Sequence, residues 1–283
     1  MVKSPSVVQQ LQSGAPLPES ALPRPLDLSY ASNRMALYGT LAFGAASLLF
    51  RRSGRQALGV GGVAMLAWAT GRELDPDDSW SAAVALGVAG LAGLFQTAGR
   101  SAPALLPGMA ALSATRMLSA TVGYAASPQD AAALSAQAGA AALAGYRLPA
   151  LLPAAALALS DAQDDAFAPQ ASWSAPTALG AALLPPLRKE AAEERPSQVV
   201  SDLLSLAALA LSRQTLAPEQ PSSSCDLVPV RVSASRLQAS RALGLGTLAV
   251  ALLRRESATL LPLAAACLSV GLRRTLRPDG QGG

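Results

Sequence analysis

The side chains best equipped for chemistry gather in two short acidic segments, Glu73-Leu-Asp-Pro-Asp-Asp78 and Asp161-Ala-Gln-Asp-Asp165. Asp75, Asp77 and Asp78 in the first, and Asp161, Asp164 and Asp165 in the second, offer oxygens of the kind that hold a divalent cation. Neither run has the spacing of a ligand loop, so solvated acidic turns account for both. The chain contains no histidine, which excludes histidine-ligated haem or zinc, a Ser-His-Asp triad and a histidine general base. Its two cysteines stand in unlike surroundings, Cys225 after a serine run and Cys267 inside an apolar run, without metal, redox or disulfide spacing. No catalytic residue, metal site or cofactor is expected, and the chain reads as non-enzymatic. One further residue stands out. Arg116 interrupts an apolar stretch, and an ionisable group at membrane depth is by default a functional-site hypothesis. The competing reading places Arg116 near a helix end, its side chain extended to the lipid headgroups; no acidic partner adjoins it in sequence.

The elements that must position these groups are apolar helices. Of 283 residues 51% are hydrophobic and only 14% charged, against about 25% charged in an ordinary soluble domain. The mean hydropathy of +0.32 is modest for a polytopic membrane protein, because Ala and Gly replace Ile and Phe and because polar stretches dilute it. Small residues let helices approach closely in lipid. The net charge of +4 and the 4% aromatic content leave no basic, aromatic-interleaved platform for nucleic acid.

Residues 1–33 form a polar, Pro-rich head without the apolar core of a signal peptide, and read as a mobile extension. Met35–Phe50 and Gln56–Gly71 are uncharged arms of 16 residues joined by Arg51-Arg-Ser-Gly-Arg55. Each is short of the roughly 20 residues that cross a bilayer core, but Arg51, Arg52 and Arg55 can reach the headgroups and thin the local membrane. Ser79–Gly99 follows as 21 residues without a charge, the best single crossing. Ala102–Ala120, Ala131–Tyr146, Leu148–Ser160 and a helix over Ser174–Leu184 come next, then a helix ending at Ser212. Residues 213–240 read as a linker, and 241–274 as a final hairpin whose joint is Arg254-Arg-Glu256, with 275–283 a flexible tail. Ala104-Leu-Leu-Pro107 returns at Ala150, Ala182 and, as a variant, Thr259, a sign of degenerate repeats. The expected fold is all-α, a polytopic membrane protein of repeated short hairpins with about 8–10 helices, four hairpins falling within 34–212.

Charge suggests a sidedness. The joints carry Arg51, Arg52, Arg55, Arg100, Arg147, Arg188, Lys189, Arg195, Arg254 and Arg255, whereas the segments at 72–78, 130 and 161–165 are acidic apart from Arg72. Basic residues stay on the cytoplasmic side, so the joints are predicted to face the cytoplasm of a bacterial inner membrane. Arg51, Arg52, Arg55, Arg254 and Arg255 would then meet headgroups and set topology. The ends conflict with this: Arg24, Arg34, Arg273, Arg274 and Arg277 put equally basic segments on the other face. An odd number of crossings on either side of the middle would remove the conflict.

In Asn33-Arg34, Gly39-Thr-Leu, Phe50-Arg-Arg52 and Gly71-Arg72, and again in Arg241, Gly246-Thr-Leu and Arg254-Arg255, the first and last hairpins resemble the YgaP-like inner-membrane transmembrane hairpin family. That pattern usually has a cysteine soon after the second arm, and Gly71-Arg-Glu-Leu lacks one. The resemblance implies anchoring and association rather than chemistry. Three functions stay open: a scaffold or accessory subunit that packs on itself or on a membrane partner; a small-solute transporter or channel, in which Arg116 would matter; and a soluble Ala-rich α-hairpin array. The expected surroundings are the lipid bilayer, with no nucleic acid.

Overall fold

The computed structural model describes residues 20–24, 26–96, 105–187 and 198–277. The expected joints at Arg100, Arg188, Lys189 and Arg195, the head before Ser20 and the tail beyond Arg277 lie outside the described residues. Ala and Leu dominate every apolar run and are strong helix formers. Among the described residues these form eleven α-helices: α1 Ala31–Arg51, α2 Gly54–Leu74, α3 Ser79–Gln96, α4 Leu105–Ser119, α5 Pro128–Leu143, α6 Arg147–Asp161, α7 Ser174–Ala182, α8 Val199–Ala210, α9 Ser212–Thr215, α10 Ala234–Arg254 and α11 Leu261–Leu276, with a 3-10 turn at Ser257–Leu260 before the last. Among the described residues there is no strand, only an isolated antiparallel bridge between Ser224 and Arg231.

The helices form two groups. In one, α2 and α3 pack along their length, α1 lies over both, and α11 fills the space between α2, α3 and α8. In the other, α5, α6 and α7 pack on one another, and α4 links the groups by touching α2, α6 and α10. The largest apolar core is centred on α11, whose Leu263, Ala264, Ala265, Ala266 and Cys267 are at most 1% exposed, and it collects Ala67, Ala89, Ala114, Leu118, Leu152 and Leu248 from its neighbours. Alanine on alanine lets the axes come close. Glycine goes further: a Cβ on Gly61 would stand 2.9 Å from the Thr40 carbonyl oxygen, and one on Gly71 3.0 Å from the Ala82 Cα, so these two positions set the α1–α2 and α2–α3 spacing.

Successive long helices alternate in direction, and side chains tie together the loops that share an end. At one end, the joint end, Leu148 N donates to Glu256 Oε2 at 3.2 Å, and Gln198 Nε2 donates to the Arg255 carbonyl at 2.6 Å. At the other, the acidic end, Asp77 accepts from the backbone N–H of Ser222 and Ser223, both at 2.8 Å. The described joints Arg51–Arg55, Arg147 and Arg254–Arg255 thus share one end, and residues 73–78, 130 and 161–165 the other.

Several expectations need correction. The final hairpin is not a self-contained copy of the first, because α11 packs chiefly on α3, α2 and α8 and only lightly on α10. The Gly-Thr-Leu shared by residues 39–41 and 246–248 is also out of register with the joints. Arg52 and Arg255 both end their helices in the left-handed region, with φ of 53° and 57°, yet aligning Gly39 with Gly246 leaves these caps four residues apart, one helical turn. The Leu-Leu-Pro tetrapeptide occupies unlike places: Pro107 and Pro262 sit in first turns, Pro153 lies inside α6, and Pro185 follows α7. A proline in a first turn loses no hydrogen bond, which suits Pro107 and Pro262 but not Pro153 or Pro185, so the tetrapeptide does not mark one common place in a repeating unit. The 213–240 stretch already begins α10 at Ala234, and its middle is packed, with Cys225 and Val232 buried. Nor is Ser20–Arg24 a loose extension, since Ala21 is buried and its N–H donates to Asp130.

By length and apolarity, two segments among the described residues suit a membrane crossing, Ser79–Gln96 and Ser257–Leu276, and the second is mostly buried inside the bundle.

Candidate functional site: a buried ion-pair network at the acidic end

Three elements end together at the acidic end: α2 at Leu74, α4 at Ser119 and α11 at Leu276, with α10 starting beside them. Each carries charge in its terminal turns, and tertiary packing brings opposite signs together. Glu73 is wholly buried in the last turn of α2. Its Oε1 accepts from Arg116 Nε at 2.7 Å and from Arg24 Nη1 at 3.1 Å, and Oε2 accepts from the Thr121 hydroxyl. Arg116 also donates through Nη1 to the Leu22 carbonyl at 2.7 Å, and Arg24 reaches on to Asp226, with Nη2 2.6 Å from Oδ1. One buried carboxylate thereby ties together the segment before α1, the ends of α2 and α4, and the loop before α10.

A second cluster adjoins it through Asp75, the residue that ends α2 and is 1% exposed. Arg273 grips Asp75 in a bidentate manner, Nε to Oδ2 at 3.0 Å and Nη2 to Oδ1 at 2.9 Å, and the Ser81 hydroxyl donates to the same carboxylate. Two parallel N–H···O bonds are the strongest form of this contact. Glu219 draws in three guanidiniums, from Arg241 at 2.7 Å, Arg274 at 2.9 Å and Arg273 at 3.1 Å. Arg241, 2% exposed, also donates from Nε to the Leu74 carbonyl at 2.8 Å. Its Nη2 has no hydrogen-bond partner among the described residues and lies 3.8 Å from Asp75 Oδ1. Burial pushes the Glu219 carboxyl upward, but the guanidinium of Arg241, supported by Arg274 and Arg273, prevails and holds it below the ordinary range. A third pair stands apart. Arg236, fully buried at the start of α10, clasps Asp165 at 2.7 and 2.6 Å and donates to Ser160 Oγ at 2.9 Å. Its guanidinium also lies over the Phe167 ring at 5.7 Å. These bonds lower the Asp165 pKa below its usual value.

Arg116 is therefore neither unpartnered nor turned out to headgroups, since its acidic partner lies 43 residues away at the end of another helix. Of the basic groups at this end, Arg24, Arg273 and Arg274 are paired with Glu73, Asp75 and Glu219, whereas Arg34 and Arg277 are exposed. Arg51, Arg52, Arg55, Arg254 and Arg255 are all exposed at the joint end, far from this network. Of the two acidic runs, Asp75 and Asp165 are taken by arginine, Asp77 by backbone N–H groups, and among the described residues no three metal-ligating side chains stand together.

The carboxylates of the network are paired, and the adjoining cavity of about 450 Å³, lined by Asp77, Asp78, Glu219 and Arg273, opens outward at the end of the bundle. Reading along the chain missed Glu73, Asp75, Glu219, Arg241, Arg273 and Arg274 as one unit. A usable signal existed, because each sits within about two turns of a helix end or in the loop beside one, and opposite signs occur at the same depth. Comparison of the chain with protein-family models, curated proteins and solved structures finds no match.

Proposed function

We propose that the chain is an integral membrane protein, a non-enzymatic scaffold or accessory subunit, whose helical bundle lies in lipid with its joint end at the cytoplasmic face and its acidic end locked by buried ion pairs. The observation that carries this reading is that α1 and α8 are inside-out. On α8, Ser201, Ser205 and Ala208 are fully buried, while Val199, Leu203 and Leu206 are 63%, 61% and 54% exposed. On α1, Asn33, Ala36 and Ser47 face inward, whereas Tyr38, Leu41, Leu49 and Phe50 face out. A helix facing water keeps its polar stripe outside. A helix facing lipid gains nothing from burying leucine, and packs instead through small and hydroxyl residues.

Charge placement supports the same reading. Charged residues of the described helices stand within about two turns of an end, leaving an uncharged middle band. In α1 that band, Met35–Phe50, is 16 residues, about 24 Å at 1.5 Å per residue. Such a band suits a locally thinned bilayer. Arg116, in the last turn of α4 and bound to Glu73, favours a locking role over a midplane transport site.

The deciding experiment is membrane fractionation of the full chain with alkaline carbonate washing. Retention in the pellet, with release by detergent, is expected. Recovery in the carbonate supernatant as a stable particle without detergent would instead establish the soluble α-hairpin array.

A further inference from the structure

An apolar groove of about 560 Å³ runs along the outer surface between α6 and α10. Its floor is the main core, through Leu148 and Leu152. Its walls include Leu159 from α6 and Val250 from α10, about 40% exposed. Along α6 it runs from Leu148 to Leu159, and along α10 from Ala239 to Val250. Each edge is twelve residues of helix, about 17 Å from first to last. That exceeds half of a ~30 Å hydrocarbon core, enough to seat an acyl chain of one leaflet end to end.

The groove meets the joint end where charge is concentrated. Arg147 begins α6 and is exposed; Arg254 and Arg255 end α10 and are exposed. Glu256 Oε2 accepts from Leu148 N at 3.2 Å and Oε1 accepts from Arg254 Nε at 2.9 Å, so a single carboxylate holds the first turn of α6 against the last turn of α10. The described rim therefore has three guanidiniums and one carboxylate. An apolar slot one leaflet long, opening beneath a cationic rim, complements a molecule with an aliphatic chain and an anionic head.

Resting on the membrane reading, we propose that this groove and rim bind one anionic phospholipid, its acyl chain between α6 and α10 and its phosphate on Arg147 and Arg254. Basic pockets between helices at the cytoplasmic face are suited to such headgroups. Gly246 offers a direct probe. A Cβ built there meets nothing within 4 Å among the described residues, so Gly246→Leu projects into the groove that Gly246 lines without displacing the described packing.

The test is native mass spectrometry of the detergent-purified full chain, titrated with phosphatidylglycerol or phosphatidylcholine of matched acyl chains. One phosphatidylglycerol is expected to be retained at least tenfold better than phosphatidylcholine. Gly246→Leu should abolish that retention without lowering the thermal midpoint, and Arg147→Gln with Arg254→Gln should remove the headgroup preference while keeping weak acyl binding. Equal retention of the two lipids by the unmodified chain would overturn the proposal, as would full phosphatidylglycerol retention by Gly246→Leu. A dimer lost on Gly246→Leu would assign the groove to a second copy and overturn it too. Failure of the membrane reading is separable, because it appears first as release into the carbonate supernatant, before any lipid is added.

Discussion

Glu73 has no contact with solvent, and two guanidiniums with one hydroxyl occupy its two oxygens. Removing one member of such a group leaves the other charges buried and uncompensated, which costs about 3–5 kcal/mol. Glu73→Gln is therefore expected to destabilise the protein by about that amount in a denaturant titration in detergent. Glu73→Gln combined with Arg116→Gln should cost less than the two single changes summed, because the second removes a charge the first has orphaned. Acid should act through Asp165 and Glu219, whose carboxyls are held below their ordinary values by Arg236 and by the Arg241 group. A depressed carboxylate contributes stability that is fully present above its unfolded pKa, about 4, and that is lost as pH falls through the lower folded value. The unfolding midpoint should thus drop below about pH 4, and Asp165→Asn should flatten part of that drop. Arg52 and Arg255 hold left-handed conformations that cost a non-glycine residue roughly 1–2 kcal/mol. Arg52→Gly should accordingly raise stability by about 1 kcal/mol while removing a charge from the joint end.

At the scale of elements, helix spacing is governed by what stands at the contact. Gly71→Ala would drive a Cβ to 3.0 Å from the Ala82 backbone, and Gly61→Ala would press on the Thr40 carbonyl at 2.9 Å. Both should destabilise by about 1–3 kcal/mol, as overpacked contacts do. Gly87→Ala and Gly180→Ala meet open space and should be neutral or stabilising by up to about 1 kcal/mol, since alanine is the better helix former. The contrast, read as thermal midpoints of the four variants, checks the packing of α1, α2 and α3 directly. It also separates glycines that space helices from those that merely reflect composition, a distinction invisible in the run Ala85-Leu-Gly-Val-Ala-Gly90.

At the scale of the whole molecule the bundle has two unlike ends. One displays Arg51, Arg52, Arg55, Arg147, Arg254 and Arg255 to the surroundings, and the other folds most of its charge inward. Cys225 and Cys267 are both buried, so single surface cysteines can report which side each end faces. With the chain in intact cells, a membrane-impermeant maleimide is expected to label Gln220→Cys at the acidic end, and Arg55→Cys only after permeabilisation. Labelling in the opposite order would place the joints outside and overturn the orientation, though not the membrane reading itself.

The helices were legible in the sequence because uncharged Ala/Leu runs ended by charge or proline admit few other local structures. The arms predicted as Ala131–Tyr146 and Leu148–Ser160 became α5 and α6 within a few residues, and the placement of joints and acidic loops at opposite ends followed from counting turns. What the sequence determined by itself was therefore local: where the chain is helical, where it reverses, and that histidine chemistry is excluded. Only the tertiary structure decided which helices meet, that α11 is the centre of the largest core, and that Arg24, Arg116, Arg273 and Arg274 find buried carboxylates. The reason is physical. Helix formation depends on neighbours within four residues, whereas Glu73 finds Arg24 and Arg116 at separations of 49 and 43, and Asp75 finds Arg273 at 198, through packing that no local pattern encodes.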